Sequence, residues 1–151
     1  MLRSTWFGKG WQRLAGWRFG RAREPGRPNT SETGMKGELV AYAYLKRQGY
    51  RIVAHRYRSR SGEIDLIGWD GDILAFIEVK YRRNRQYGGP EEAVGFAKQQ
   101  QICRAAADYR RGLRRQAAAW RFDIVGIQGN WEHPEISLFK DAFREPERGG
   151  G

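Results

Sequence analysis

The stretch "GEIDLIGWDGDILAFIEVKYRRNR", residues 62–85, decides how this chain is read. Two short apolar runs flank Asp70-Gly71, a strong hairpin signal. Side chains along a strand point alternately to opposite faces. Leu74, Phe76, Glu78 and Lys80 therefore share one face, while Ile73, Ala75, Ile77, Val79 and Tyr81 share the other. The second face is apolar apart from one phenol hydroxyl and is expected to pack on the core. A turn centred on Asp70-Gly71 puts Asp65 opposite Phe76 and Glu63 opposite Glu78. In that register Glu63, Asp65, Glu78 and Lys80 gather on one face, and Ile64 and Leu66 join the apolar side.

Diagonal cross-strand neighbours lie about 7–8 Å apart, so the carboxylates of Asp65 and Glu78 can converge on one cation. Two acids held this close repel unless a proton or a cation intervenes. The chain has one cysteine and two histidines, so hard oxygen ligands point to Mg2+ or Mn2+ rather than zinc. Lys80 would then orient a water or stabilise charge on a phosphoryl group. The same spacing suits an ordinary surface ion pair between Glu78 and Lys80, and alternation does not separate the two readings.

The flanking segments supply further signals. Residues 35–50, "MKGELVAYAYLKRQGY", carry a helical pattern that Ser31 or Thr33 can cap and Gly49 ends. On that helix Glu38 shares a stripe with Ala41, Tyr42 and Leu45, which turns it towards the protein. Residues 50–59 read as a strand. Residues 91–119, rich in Ala and Gln, read as one long helix with acids at its start and bases at its end. Lys98 falls there on a stripe with Val94, Ile102 and Ala105. "WRFDIVGI" and "PEISLFKDAF" read as two more strands. The expected order is helix, three strands, helix, two strands.

The 151 residues suffice for one domain with a real core. With 28 Lys and Arg against 17 Asp and Glu, the net charge is +11, which speaks of anionic partners. Nucleic acid leads, and an acidic membrane surface comes second. Cys103 alone excludes an internal disulfide framework and reads as a small helix residue. No apolar run is long enough for a transmembrane helix, and the N-terminus lacks a secretory signal core, so cytoplasm is the default. Residues 1–33 read as a basic, Trp-rich flexible arm, 34–145 as the domain and 146–151 as a disordered tail. The arm could touch phosphates or lipid, or have no specific role.

The residues "GELVAYAYLKRQGY", "GEIDLI", "FIEVKYR", "GGPEEAV", Lys98 and "RFDIVGI" together resemble the PD-(D/E)xK nuclease superfamily, and more closely its YraN-type bacterial family, across residues 34–140. The resemblance implies an α/β, restriction-endonuclease-like core, a mixed central sheet flanked by helices. It implies that Asp65 and Glu78 bind a divalent metal, that Glu38 completes the site, and that Lys80 positions the attacking water for in-line phosphodiester hydrolysis. Ile64 stands where a Pro is often found, and Ala105 where some exonuclease branches have Tyr.

Of the basic clusters "HRYRSR", "KYRRNR" and "YRRGLRR", the first two flank the site and nominate Arg56, Arg58, Arg60, Arg82, Arg83 and Arg85 as phosphate contacts, with Lys98 from the second helix. Tyr57, Tyr81 and Tyr87 are candidates for stacking on unpaired bases. His55, His133 and Asp123 read as structural. The leading expectation is a Mg2+- or Mn2+-dependent endonuclease, with DNA preferred over RNA and structure-selective binding preferred over sequence readout. The alternative is a non-catalytic nucleic-acid-binding module on the same basic surface. A weaker third is membrane association through the arm.

Overall fold

The computed structural model describes residues 30–83 and 94–146. Seven elements follow in the expected order: α1 (Thr30–Arg47), β1 (Arg51–Ser59), β2 (Gly62–Asp70), β3 (Ile73–Arg82), α2 (Phe96–Arg111), β4 (Ala119–Gln128) and β5 (Glu135–Phe143). The strands form one five-stranded sheet in sequence order. Neighbours are antiparallel except β3 and β4, which run parallel. The parallel pair needs a long crossover, and α2 supplies it. The architecture is α/β and restriction-endonuclease-like, as expected.

The helix ends differ from the expectations. Ser31 and Thr33 lie inside α1 rather than capping it, and Gly49, at φ +92°, takes the left-handed turn after the helix. The second helix spans only Phe96–Arg111, opening after Gly95 without a side-chain cap and stopping at Gly112. Glu91 and Glu92, the expected acidic start, lie outside the described residues. Downstream, Ala119 pairs with Ile73 in the parallel ladder, so sheet pairing overrides alanine's preference for helix.

Both faces of the central hairpin are core, because helices cover both sides of the sheet. Ile67, Leu74, Phe76, Phe122 and Ile124 pack with Ile102, Cys103, Ala105 and Ala106 of α2. Leu66, Ala75, Ile77, Val125 and Ile127 pack with Ala41 and Leu45 of α1. Cys103 is buried, and burial pushes its thiol up to about 11, consistent with a packing role.

The register corrects the expected one. Asp70 pairs with Ile73, so the turn is Gly71-Asp72, with Gly71 at φ +61°. Moving the turn by one residue shifts each partner by two, which preserves the faces. The β2–β3 ladder ends at Leu66 and Ile77, and the next positions are Asp65 and Glu78. Glu63 does not oppose Glu78; it pairs with Arg58 of β1.

Alternation also breaks at one point. Ile64 packs in the α2-side core and Leu66 in the α1-side core, although two residues separate them. On β1 the pairs His55–Leu66 and Tyr57–Ile64 are formed, with Arg56 and Asp65 between them. Arg56 is left-handed there, at φ +49°. Both strands thus change face together, and Asp65 sits at the inversion.

Candidate active site

Where β2 and β3 part, the Val79 N–H loses its ladder partner. The Asp65 carboxylate accepts it through Oδ2 at 2.8 Å. Burial and the neighbouring Glu78 charge push the Asp65 carboxyl well above its usual range, with Glu38 adding to them and the Val79 hydrogen bond opposing. Glu78 is only 4% exposed, on the α2 side of β3. Lys80 Nζ lies 3.4 Å and Lys98 Nζ 3.8 Å from Glu78 Oε1. Oε2 of the same carboxylate is buried and, among the described residues, has no hydrogen-bond partner. A buried oxygen without a donor costs about 1–3 kcal/mol, more when charged. The two acids thus meet lysine charge at one Glu78 oxygen only, and the other has no donor among the described residues.

The lysines come from different elements. Lys80 follows Glu78 by two residues and so shares its face. Lys98 stands in the first turn of α2, on the stripe whose Ile102 and Ala105 are fully buried. Both side chains keep 35% of their surface exposed.

Glu38 is 7% exposed on the inward stripe of α1, above Ala41 and Leu45. The Arg56 guanidinium forks onto it, with Nε donating to Oε2 at 2.7 Å and an Nη donating to Oε1 at 3.1 Å. His55 Nε2 meets Oε2 at 2.9 Å. Burial alone would raise the Glu38 carboxyl, but His55 and Arg56 together hold it below the ordinary value. Sequence reasoning assigned Glu38 and Arg56 separately and left His55 structural; nothing local signals that the three meet.

Arg58 is exposed and ion-paired with Glu63 at 2.9 Å. Arg60 and Arg83 are exposed, and Arg82 is half-buried. Arg58 and Arg82 lie in the last residues of β1 and β3, and Arg60 and Arg83 just beyond them, at the strand ends nearest Asp65 and Glu78. Arg85 and Tyr87 lie outside the described residues. The third basic cluster is elsewhere: Arg114 and Arg115 follow α2 and lead into β4, at the sheet end near Ile73. There Arg110 sits 3.5 Å over the Trp120 ring and Arg111 pairs with Asp108. The tyrosines are taken up in packing. Tyr57 meets Tyr109 edge-on at 5.1 Å, and Tyr81 stacks on Trp131 at 4.1 Å while donating to the Gly129 carbonyl.

No helix among the described residues is long and apolar enough to cross a membrane. Residues 37–127, which contain every site acid and lysine named above, match the Uncharacterised protein family UPF0102. A UPF0102 protein of Syntrophus aciditrophicus is 46% identical over 111 residues, covering 74% of this chain and 87% of that protein. One from Symbiobacterium thermophilum is 48% identical over 111 residues, covering 73% and 94%. One from Koribacter versatilis is 41% identical over 122 residues, covering 80% and 85%. The chain belongs to the uncharacterised family UPF0102, the YraN-type proteins.

Proposed function

We propose that this protein is a divalent-metal-dependent nuclease that hydrolyses phosphodiester bonds in DNA. The observation that carries the reading is the Asp65–Glu78 pair, with two lysines at Glu78 Oε1 and a buried Oε2 that has no hydrogen-bond partner among the described residues. Among the described residues no group of three His, Cys, Asp or Glu side chains forms a metal cage. That donor set fits Mg2+ or Mn2+, since Mg2+ is commonly held by one or two carboxylates and keeps several waters. Asp65 and Glu78 would hold the ion, which when bound polarises a phosphoryl oxygen and acidifies a water.

The chain's own groups divide the remaining work. The Lys80 ammonium, 3.4 Å from Glu78, orients the attacking water and offsets charge growing on the phosphoryl oxygens. Lys98 approaches from the helix and binds the same phosphate. As the water oxygen bonds to phosphorus it gives up a proton to solvent, while the bond to the leaving oxygen breaks and that oxygen takes a proton from solvent. Arg58, Arg60 and Arg83, exposed at the neighbouring strand ends, carry flanking phosphates.

The test is a panel of labelled linear, flapped and four-way DNA and RNA substrates, each with Mg2+ or Mn2+. Cleavage is expected on DNA, abolished in Asp65→Ala and Glu78→Ala, and reduced about 10²–10³-fold in Lys80→Ala. No cleavage of any substrate with either metal overturns the enzyme reading. Salt-sensitive binding that persists unchanged in all three variants, without metal uptake, would establish the binding-module alternative.

A further inference from the structure

The acids at this site fall into two electrostatic states. Asp65 and Glu78 act on each other, Lys80 and Lys98 reach only Glu78 Oε1, and Glu78 Oε2 has no donor among the described residues. Glu38, close enough for its charge to act on Asp65, already has its cation. The Arg56 fork occupies both its oxygens, and His55 adds a third contact. A guanidinium is a permanent charge whose planar donors match a carboxylate, so Arg56 stays a cation wherever Glu38 is ionised. The backbone is committed as well, because Arg56 reaches Glu38 from a left-handed residue at the face inversion of β1. Arg56 also lies in the field of Asp65 and Glu63, so its charge bears on the whole acid cluster.

We propose that the site takes a single divalent cation, between Asp65 and Glu78, and that Arg56 stands where a second cation would bind, keeping Glu38 out of the metal's coordination shell. The inference rests on the metal-site reading above and refines it. Arg56 is then a positioning residue: it neutralises the third acid so that one metal, and not two, satisfies the cluster. Glu38 in turn acts through Arg56 rather than on the metal.

Mn2+ titration of the full chain, followed by the electron paramagnetic resonance of free Mn2+, tests this without reference to activity. The wild type is expected to take up one Mn2+ per chain. Arg56→Gln removes the internal cation while leaving Glu38, and is expected to take up two. The double variant Glu38→Gln/Arg56→Gln preserves net charge and is expected to return to one, with affinity close to wild type. A loss of about tenfold or more in the double variant, the usual consequence of removing a group that supports a metal, would make Glu38 a participant and overturn the proposal. Two Mn2+ in the wild type, or one in a folded Arg56→Gln, would also overturn it while leaving the metal site standing. No uptake by the wild type would remove the metal site itself. Should Arg56→Gln fail to fold because Glu38 is buried without its partner, the charge-neutral double variant still decides.

Discussion

The β2–β3 hairpin carries an ionic cluster at each end, and the two are built on opposite principles. In the cluster that runs from Asp70 at the turn to Asp123 on β4, Asp123 is 0% exposed, yet both its oxygens are satisfied. Arg121 Nε donates to Oδ1 at 2.8 Å, the Asp141 N–H to Oδ1 at 3.0 Å, and the Tyr50 hydroxyl to Oδ2 at 2.9 Å. Arg121 also donates to the Tyr50 oxygen at 2.8 Å and to Asp70 at 2.5 Å, and Lys140 reaches Asp70 at 2.7 Å. At the open end, past the last β2–β3 pair of Leu66 and Ile77, Asp65 and Glu78 act on each other, and among the described residues lysines meet only one Glu78 oxygen. Buried charge with matched partners specifies structure; buried charge without them waits for a ligand. Satisfaction, rather than burial, separates the two clusters.

The largest expected effect is at the satisfied end. Arg121→Ala strands the Asp123 carboxylate and should lower stability by about 3–5 kcal/mol, read as the urea midpoint. Mn2+ affinity should remain unchanged while the protein is folded. A cost below about 1 kcal/mol would show that the turn-end network is dispensable. The open end should respond with the opposite sign. Asp65→Asn relieves the repulsion with Glu78 and should raise the midpoint in metal-free buffer at neutral pH, against the average cost of about 1 kcal/mol for a substitution. A clear loss of stability would place Asp65 among the structural groups.

The same contrast has a pH signature. The Asp65 carboxyl sits above its unfolded value, so the unfolded chain ionises first and stability falls as pH rises towards the folded pKa. Glu38 is the reverse: its contribution is full above the unfolded pKa and is lost as pH falls through the lowered folded one. Urea midpoints measured across mildly acidic pH should therefore lose their downward limb in Asp65→Asn and keep it in Glu38→Gln. The smallest effect is expected at Asp70, where Lys140 and then Arg121 hold the carboxyl below its ordinary value on a half-buried group at the turn. Asp70→Asn should cost no more than about 1 kcal/mol, and less in high salt. A larger, salt-independent loss would tie Asp70 to the buried core of the network.

Much of this was open to inspection in the residues. The helical stripe of Glu38, Ala41 and Leu45 and that of Lys98, Ile102 and Ala105 are local patterns, and both turn inward. The alternation in β3 correctly placed Glu78 and Lys80 together. The element order followed from glycines and from changes of period. These features depend on residues a few positions apart, so the chain states them directly.

What the tertiary structure alone decided lies between distant positions. The turn moved to Gly71-Asp72, which brought Asp65 and Glu78 to consecutive steps past the ladder. The paired inversion at Arg56 and Asp65 sent Ile64 and Leu66 to opposite cores. Arg56 joined Glu38 across a separation of 18 residues, and Tyr57 and Tyr81 went to packing partners rather than to a surface. Periodicity reports which way a side chain points within its own element. Which charge meets it there depends on register and on the helices laid over both faces, and those are settled only when the whole sheet packs.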